Sequence, residues 1–478
     1  MREAPKAVLY LARLTIEAES PLSVASGELG ASDVALLRDA SGLPMIAGAS
    51  LEGLIKALAK RDGPAAKRLL GDENEASRVA FSDARIHDSK NESVSGLQLN
   101  VIVDPVLKAL LSDDPIKRDH VKIDGSGAAD AKALGKFDRT ALPRGTRLSC
   151  ELTMWGAGTD GDEAAFVELL ALFRHPLFRP GGATVRGYGR VKVDGAWWRF
   201  DNPAGDADKI WAVRNAPYSE RRGGYPFPAP RVTQVDQLEI NLRSDALWRV
   251  GANGARTRTG EQHFGRGGAT NRIDPSDVAP MREVSIRWSN GEGEWRIPGA
   301  DLAGDFVLPG SAVRGALWHR SLFHWNLAHQ RLIDADEPDA ERRLEDALQM
   351  PAPLLALFGD VKRETSGWKS ALIVDDIVFQ PSATEAIDHV SIDRFSGGSR
   401  RSVLFDEELV HCKGPLPPIR ITIDRKRLVS DRVDASEADK AIAALRAAID
   451  DLCHERLALG AKSSGYFTGS IETVGEAA

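Results

Sequence analysis

Cysteine is scarce in this chain, and the three that occur, Cys150, Cys412 and Cys453, form no CxxC pair. They therefore predict neither a zinc site nor a disulfide framework, and they favour a reducing compartment. Long apolar runs are also missing, since no stretch approaches the roughly 20 residues that a membrane helix needs. The first apolar stretch is interrupted by Arg13 and Glu17, which is not the layout of a signal peptide. We expect a cytoplasmic protein without a membrane partner.

Excess positive charge is missing as well. A net charge of −7 argues, by itself, against a nucleic-acid-binding protein. Binding depends on local patches, however, and the basic residues are clustered. The clusters comprise Arg256, Arg258, Arg266 and Arg272; Arg179, Arg186, Arg190 and Lys192; and Arg394, Arg400 and Arg401. A solvated loop explains any one cluster equally well. The chain also lacks the phosphate-binding pattern GxxxxGK[ST], which counts against an unrelated nucleotide-binding enzyme.

The chain repeats itself. Its 478 residues, 42% of them hydrophobic, are enough for two domains. Five motifs recur in the same order: SDVA at 32–35 and 276–279; glycine-containing stretches at 46–53 and 308–315; LGD at 70–72 with Asp83, and FGD at 358–360 with Asp375; HVKID at 120–124 and HVSID at 389–393; and GYGR at 187–190, echoed by GYFTG at 465–469. This order predicts a first module at 1–200, a linker at 201–235 and a second module at 236–478.

The predicted elements follow the same order in both modules. VLYLARLTIEAE and DQLEINLRS alternate apolar and polar residues, which indicates an opening strand. GASLEGLIKALAKR and GSAVRGALWHRSLFHWNL indicate a helix that begins at a glycine. A longer helix, a glycine-rich turn and a last strand follow. We therefore predict an α+β fold of two tandem ferredoxin-like cores, which are RRM-like, and the RRM binds RNA on its sheet.

Four stretches carry a resemblance to the RAMP superfamily of CRISPR-associated proteins: LLRDASGLPMIAGASLEGLIKAL, VLPGSAVRGALWHR, HVSIDRFSGGSRRSVLFDEE and GGATVRGYGRVKV. Within it, the chain resembles the backbone subunits of the Csm and Cmr complexes, fused in a pair as in the type III-D branch. The resemblance implies a palm domain with a β-hairpin thumb insertion in each module. It also implies guide crRNA, target RNA and the other subunits of a type III effector complex as partners.

The resemblance further implies metal-dependent cleavage of target RNA by an aspartate in an early loop of each module. The matching residues are Asp33 and Asp277. Each would bind a hydrated Mg²⁺ (or Mn²⁺), because this ion needs only one or two carboxylates besides water and phosphate. A carboxylate positioned as a general base contributes about 10²–10⁴-fold to the rate. The alternative that each aspartate only caps a turn stays open.

The other predicted site residues would hold the RNA backbone. A helix N-terminus that begins with glycine can approach phosphate closely, arginine pairs with phosphate, and tyrosine can stack on a base. The predicted RNA-binding residues are Gly48, Ser50, Lys56, Arg186, Tyr188, Arg190, Gly310, Ser311, Arg314, Arg394 and Arg400. A strand-to-helix turn and a structural loop remain the plain alternatives for the two glycine-containing regions.

Two functions follow from these features. The first is an RNA-binding backbone subunit that cleaves guide-paired RNA at up to two aspartate sites. The second is a non-catalytic scaffold that binds guide RNA while neighbouring subunits cut. A guide-processing endonuclease fits less well, because only His175 lies near the glycine-rich loop to act as an acid or base.

Overall fold

The computed structural model describes residues 8–25, 35–94, 96, 103–112, 115–121, 136–250, 279–296, 306–331, 347–360, 367–460 and 465–476. The two predicted catalytic residues, Asp33 and Asp277, lie outside these ranges, as does the arginine cluster at 256–272.

The first module and the predicted linker form one main antiparallel sheet and a separate hairpin of β5 and β6. The strands are β1 (Val8–Ala18), β2 (Met45–Ile46), β3 (Val79–Phe81), β4 (Ala84–Ile86), β5 (Ile116–Val121), β6 (Lys136–Ala141), β7 (Arg147–Gly156), β8 (Val191–Phe200) and β9 (Tyr225–Pro226). The helices are α1 (Gly48–Asp62), α2 (Pro64–Lys67), α3 (Pro105–Leu110), α4 (Asp160–Ala171) and α5 (Ala207–Asn215). The sheet order is β2-β4-β7-β1-β8-β9, and β3 also pairs with β7. Alternate residues of β1, such as Leu14 and Ile16, are buried with Leu51 and Ile55 of α1.

The second module repeats this plan. Its strands are β10 (Val235–Arg243), β11 (Ser285–Ser289), β12 (Glu292–Arg296), β13 (Phe306–Leu308), β14 (Leu372–Val374), β15 (Ile377–Phe379), β16 (Ala383–Ile392), β17 (Ser399–His411), β18 (Ile419–Asp424) and β19 (Thr468–Glu476). Its helices are α6 (Gly310–Ala328), α7 (Ala352–Phe358), α8 (Arg425–Leu428) and α9 (Ala435–Cys453). Helix α9 begins with a capping box, in which the side chain of Asp434 accepts from the N–H of Glu437 at 2.8 Å.

The four central strands have the same spatial order in both modules. They run β8-β1-β7-β3 in the first and β19-β10-β18-β14 in the second. The last strand thus lies beside the first, followed by the third and the second, which is the split βαβ arrangement. Separate hairpins, β5–β6 and β16–β17, stand where thumbs were expected. The prediction of two tandem ferredoxin-like cores with hairpin insertions is confirmed.

The starts of α1 and α6 are equivalent in detail. The N–H of Gly48 donates to Asp83 Oδ1 at 2.9 Å, and the N–H of Gly310 donates to Asp376 Oδ1 at 2.7 Å. A Cβ on either glycine would overlap a strand carbonyl, that of Phe81 or of Val374. The counterpart of Asp83 is therefore Asp376, so the sequence pairing of Asp83 with Asp375 was wrong by one residue.

Helix α5, inside the predicted linker, covers the face of the first sheet that is turned away from α1 and α4. Ile210 and Val213 pack there against a small cluster that includes Leu9, Leu11 and Trp198. Beneath the helix, the buried Arg13 donates to the carbonyl of Ala216 at 2.8 Å. The part of the first sheet under α5 is thereby closed, whereas an RRM keeps its sheet open for bases.

Candidate functional site

The glycine-rich loop of the first module lies against the second module. A 3₁₀ turn, Thr184–Arg186, contacts β14 and the first part of α6. Gly187, with a φ of 94°, follows this turn, and a Cβ at its position would overlap the carboxylate of Asp376. The glycine is needed both for the left-handed backbone and for the close approach to the second module. The loop is thus one of the places where the two modules meet.

Arginines of the first module bind carboxylates of the second at this junction. Arg118, at the base of the first hairpin, contacts Asp376 Oδ2 at 2.7 Å and Glu283 Oε2 at 2.7 Å. Burial alone would lower the pKa of Arg118, but these two carboxylates outweigh it and raise the pKa above its ordinary value. Arg179 binds Asp375 through both oxygens, one of them at 3.1 Å. These buried pairs fix the loop in place.

Three further arginines are grouped at the same junction. Arg186 comes from the glycine-rich loop, Arg139 from β6 and Arg314 from the first turns of α6. Burial is the larger cause and the neighbouring Arg186 the smaller one, and together they lower the pKa of Arg314 to about 10. Burial also lowers the pKa of Arg186, with Arg139 as an additional cause. All three side chains are half-buried. Arg139 also donates to Ser23 Oγ at 3.3 Å, and Arg314 donates to the carbonyl of Phe358. A group of cations such as this one attracts anions.

Tyr188 does not have the stacking role that the sequence indicated. It is fully buried, and its hydroxyl lies 3.1 Å from His120 Nε2. The guanidinium of Arg118 lies 4.9 Å from the ring centroid. Burial raises the pKa of Tyr188 to about 12. A ring enclosed in this way cannot receive a base, so this part of the prediction was wrong.

Other predicted RNA contacts are already used inside the protein. Arg190 pairs with Glu19 at 2.9 Å and lies 3.6 Å from Asp375, so its charge is neutralised at the junction. The N–H groups of Gly48 and Gly310 donate to the protein's own carboxylates. A carboxylate already occupies the place that a phosphate would take at each helix start. The geometry thus favours the plain reading, a strand-to-helix turn, for both glycines.

The remaining residues of the two helix starts are accessible. Ser50 is exposed, and Ser311 and Lys56 are half-buried. Hydrogen bonds from backbone N–H groups are the main cause that lowers the pKa of Asp72. The nearby Lys56 makes a smaller contribution in the same direction. RNA contact by these three residues stays a prediction.

The tip of the β16–β17 hairpin carries exposed cations and an exposed aromatic ring. Arg394 and Arg400 are both exposed. Between them, Phe395 is 92% exposed, and Arg394 lies 5.8 Å from its ring centroid. Asp393 accepts from the N–H groups of Phe395 and Ser396 and fixes the turn. The two arginines were predicted from the sequence and Phe395 was not, although an aromatic residue within the turn motif was the available signal.

The predicted metal ligands, Asp33 and Asp277, are outside the described ranges. In the part of the chain that is described, no three histidine, cysteine, aspartate or glutamate side chains are grouped so that they could hold a metal ion. None of the helices described here is long and apolar enough to span a membrane.

Comparisons with known proteins agree with the motif order. A family model of the RAMP superfamily matches residues 15–192 and 263–468. One similar solved chain comes from a structure described as "Type III-B Cmr-beta Cryo-EM structure of the Apo state". It is 16% identical, with a TM-score of 0.29, and the alignment covers 39% of this chain and 96% of that one. A similarity at this TM-score carries no argument. No curated protein matches the sequence. The family match spans most of both modules, and the chain belongs to the RAMP superfamily.

Proposed function

We propose that this protein is a guide-RNA-binding backbone subunit of a type III CRISPR effector complex, and that it cleaves guide-paired target RNA. The proposal rests on the arginine cluster of Arg139, Arg186 and Arg314, which joins both modules of a RAMP-family chain. Other subunits of the complex, crRNA and target RNA are the proposed partners.

A phosphate group is the ligand that best fits this cluster. Arg186 repels Arg314 and is repelled by Arg139, and burial is the larger cause that lowers the pKa of both Arg186 and Arg314. A bound phosphate would relieve the repulsion, because guanidinium and phosphate form charge-assisted pairs. RNA supplies such phosphates in series along its backbone, without regard to base sequence. The cluster therefore suits a protein whose specificity comes from guide pairing.

The β16–β17 hairpin supplies a second type of contact. Phe395 is nearly fully exposed at the tip, and Ile392 behind it is 63% exposed. Exposed rings of this kind stack on bases, and the flanking Arg394 and Arg400 attract the backbone. We infer that this tip inserts beside the RNA while the arginine cluster holds the phosphates.

Cleavage is assigned to Asp33 and Asp277 from the resemblance to the RAMP superfamily and from the SDVA motif that both modules share. Each aspartate would hold a hydrated Mg²⁺ (or Mn²⁺) and accept a proton from the attacking 2′-hydroxyl. The ion would stabilise the charge that develops on the phosphate. The arginine cluster positions the RNA backbone and does not itself take part in the chemistry.

Target-RNA cleavage by the reconstituted complex with Mg²⁺ tests the catalytic part of the proposal. We expect Asp33→Ala and Asp277→Ala each to remove one distinct product, and the double variant to remove both, with target binding retained. Unchanged cleavage by the double variant would instead make the chain a non-catalytic scaffold.

Affinity for single-stranded RNA, measured by fluorescence anisotropy at several salt concentrations, tests the binding part. We expect Arg314→Ala and Arg139→Ala each to weaken binding by about tenfold and to reduce the salt slope by about one. Arg222→Ala is the matched control, because its side chain is 92% exposed and lies outside the cluster. Equal effects of all three changes would show that the chain binds RNA by general charge only.

A further inference from the structure

The duplication of the chain gives each arginine of the junction cluster a counterpart in the other module. For Arg139 the counterpart is Glu407. The motifs HVKID and HVSID make Arg118 equivalent to Ile387, and the hairpin partners of these two residues are Arg139 and Glu407. A cation of the first module thus corresponds to an acid of the second.

Arg139 and Glu407 also occupy the same place among their neighbours. Each contacts the residue that follows the bridge from the opening strand to the hairpin, Ser23 in the first module and Arg249 in the second. Arg249 Nε donates to Glu407 Oε1 at 2.6 Å, and His389 Nε2 lies 3.0 Å from the other carboxylate oxygen. Both Arg249 and Glu407 are buried. The second module therefore fills this place with an ion pair of its own.

The other two arginines of the cluster have no cationic counterpart either. The counterpart of Arg314 is Glu52, because helices α1 and α6 begin at equivalent glycines. The counterpart of Arg186 is Ser464, since each residue precedes the Gly-Tyr pair of its module; Ser464 lies outside the described ranges. Three cations at the internal junction thus correspond to two acids and a serine. This change of charge distinguishes the internal junction from the equivalent positions.

Two buried donors at the internal junction have no acceptor among the residues that the structure describes. They are the Nε atoms of Arg139 and Arg314. The glycine-rich loop lies close to the first of them, since a Cβ on Gly182 would be 3.1 Å from Arg139 Nη1. Unpaired buried N–H groups are costly, and a ligand that accepts from them removes the cost. Because both donors belong to guanidinium groups, that ligand is an anion. The equivalent place in the second module needs none, because Arg249 and Glu407 satisfy each other.

We propose that the internal junction holds one phosphate group per chain, bound by Arg139 and Arg186 of the first module and Arg314 of the second, and that the equivalent positions hold none. Phosphate oxygens accept charge-assisted hydrogen bonds from several guanidinium groups at once. Neither module forms the site alone, because the cations come from both.

This inference rests on the proposed function in taking RNA as the source of the phosphate, although a free phosphate compound has the same chemistry. An RNA that runs along both modules is then held at this kind of site once per chain and not once per module. The two modules, although duplicated, are therefore unequal in how they hold the RNA backbone.

Isothermal titration calorimetry of the full chain with inorganic pyrophosphate, at constant ionic strength, counts the sites. We expect one site per chain. Arg139→Ala and Arg314→Ala should each weaken binding by about tenfold or more, because each loses charge-assisted hydrogen bonds to the ligand. Arg139→Ala keeps the test informative if Arg314→Ala does not fold, since Arg314 also donates to the carbonyl of Phe358.

Glu52→Gln is the matched control, because Glu52 stands in the first module at the position that Arg314 has in the second. It should bind pyrophosphate like the wild type, with the same stoichiometry. No binding by the wild type, two equal sites per chain, or arginine variants that bind normally would overturn the proposal.

RNA affinity of the same variants, measured by anisotropy at several salt concentrations, identifies the source of the phosphate. If RNA supplies it, Arg314→Ala reduces the salt slope by about one, whereas Glu52→Gln does not. If pyrophosphate binds at one site but RNA affinity does not respond to Arg314→Ala, the site takes a free phosphate compound, and the RNA-binding role of the cluster is wrong. If RNA affinity responds but pyrophosphate does not bind, only the single-phosphate site is overturned.

Discussion

At the scale of single residues, His175 shows how the glycine-rich loop is tied to α1 and to the linker. Its Nδ1 accepts the N–H of Leu177 at 3.1 Å, so its Nε2 carries the proton and donates to Asp62 at 2.9 Å. Asp62 also accepts from the side chain and the N–H of Thr233. Both His175 and Asp62 have fully buried side chains. The histidine that the sequence places beside the loop therefore has a structural role in this geometry.

Protonation of His175 should destabilise the protein in mildly acidic solution. Burial lowers the pKa of His175 although Asp62 opposes the shift, so the folded state keeps the imidazole neutral while the unfolded state gains a proton below about 6.5. The contribution of neutral His175 to the free energy of unfolding is thus complete above this pH and is lost as the pH falls. Asp62, whose pKa is lowered by its hydrogen bonds against the effect of burial, titrates at more acidic values.

The free energy of unfolding, measured with denaturant between pH 7.5 and pH 5, checks this expectation. We expect the wild type to lose more stability over this interval than His175→Gln, which keeps a donor for Asp62 but does not titrate. Parallel pH profiles for the two proteins would contradict the assignment.

At the scale of elements, the start of each central helix is set by a glycine that lies against a strand. Position, and not helix propensity, makes this glycine necessary, because Gly48 and Gly310 meet backbone carbonyls while Gly53 and Gly315 have nothing within 4 Å. The same helix thus contains one glycine that cannot accept a side chain and one that can.

Glycine-to-alanine substitution should separate these two cases. Gly48→Ala and Gly310→Ala should lower the free energy of unfolding by about 1–3 kcal/mol, because the added methyl group forces the helix away from the strand. Gly53→Ala and Gly315→Ala should raise it by about 0.5–1 kcal/mol, because alanine favours an exposed helix interior. Denaturant unfolding of the four variants measures these free energies. If all four substitutions changed the free energy of unfolding in the same direction, the expectation would be wrong.

The elements are also where sequence reasoning succeeded. Strand β1 and the helix that begins at Gly48 follow from local periodicity and turn chemistry, so the sequence alone indicates them. The hairpin at His389 was expected from the resemblance to the RAMP superfamily. The junction does not follow in this way, because Arg118 and Glu283 are separated by 165 positions. The burial of Tyr188 was missed for the same reason, since His120 and Arg118 enclose it from another hairpin. No sequence pattern around residues 207–215 indicated that α5 would cover a sheet.

At the scale of the whole molecule, the buried pairs of Arg118 couple the two modules. Its side chain is 3% exposed, and its partners Glu283 and Asp376 are nearly as enclosed. Removing one member of a buried ion pair leaves charges without compensation and costs about 3–5 kcal/mol. Arg118 should therefore contribute strongly to cooperativity between the modules, beside contacts such as Arg179–Asp375.

Differential scanning calorimetry of Arg118→Leu tests the coupling. We expect one unfolding transition in the wild type, and in the variant an earlier, divided transition, because the second module keeps two unpaired carboxylates. Arg243→Ala serves as the control, since its pair with Asp245 is exposed and such pairs contribute about 0–1 kcal/mol. A variant that still unfolds in one unshifted transition would show that other contacts couple the modules.

The covalent linker has a consequence for the chemistry of the junction that it spans. Because residues 201–235 tether the modules, each meets the other at an effective concentration of roughly millimolar order, however little protein is present. A tethered contact does not have to assemble from dilute solution, so it could come to rely on arginine–carboxylate pairs such as Arg61–Asp424. The same pairs would form poorly between separate chains at low concentration, because no tether holds the partners together. The ionic character of the internal junction is therefore a consequence of the covalent linker.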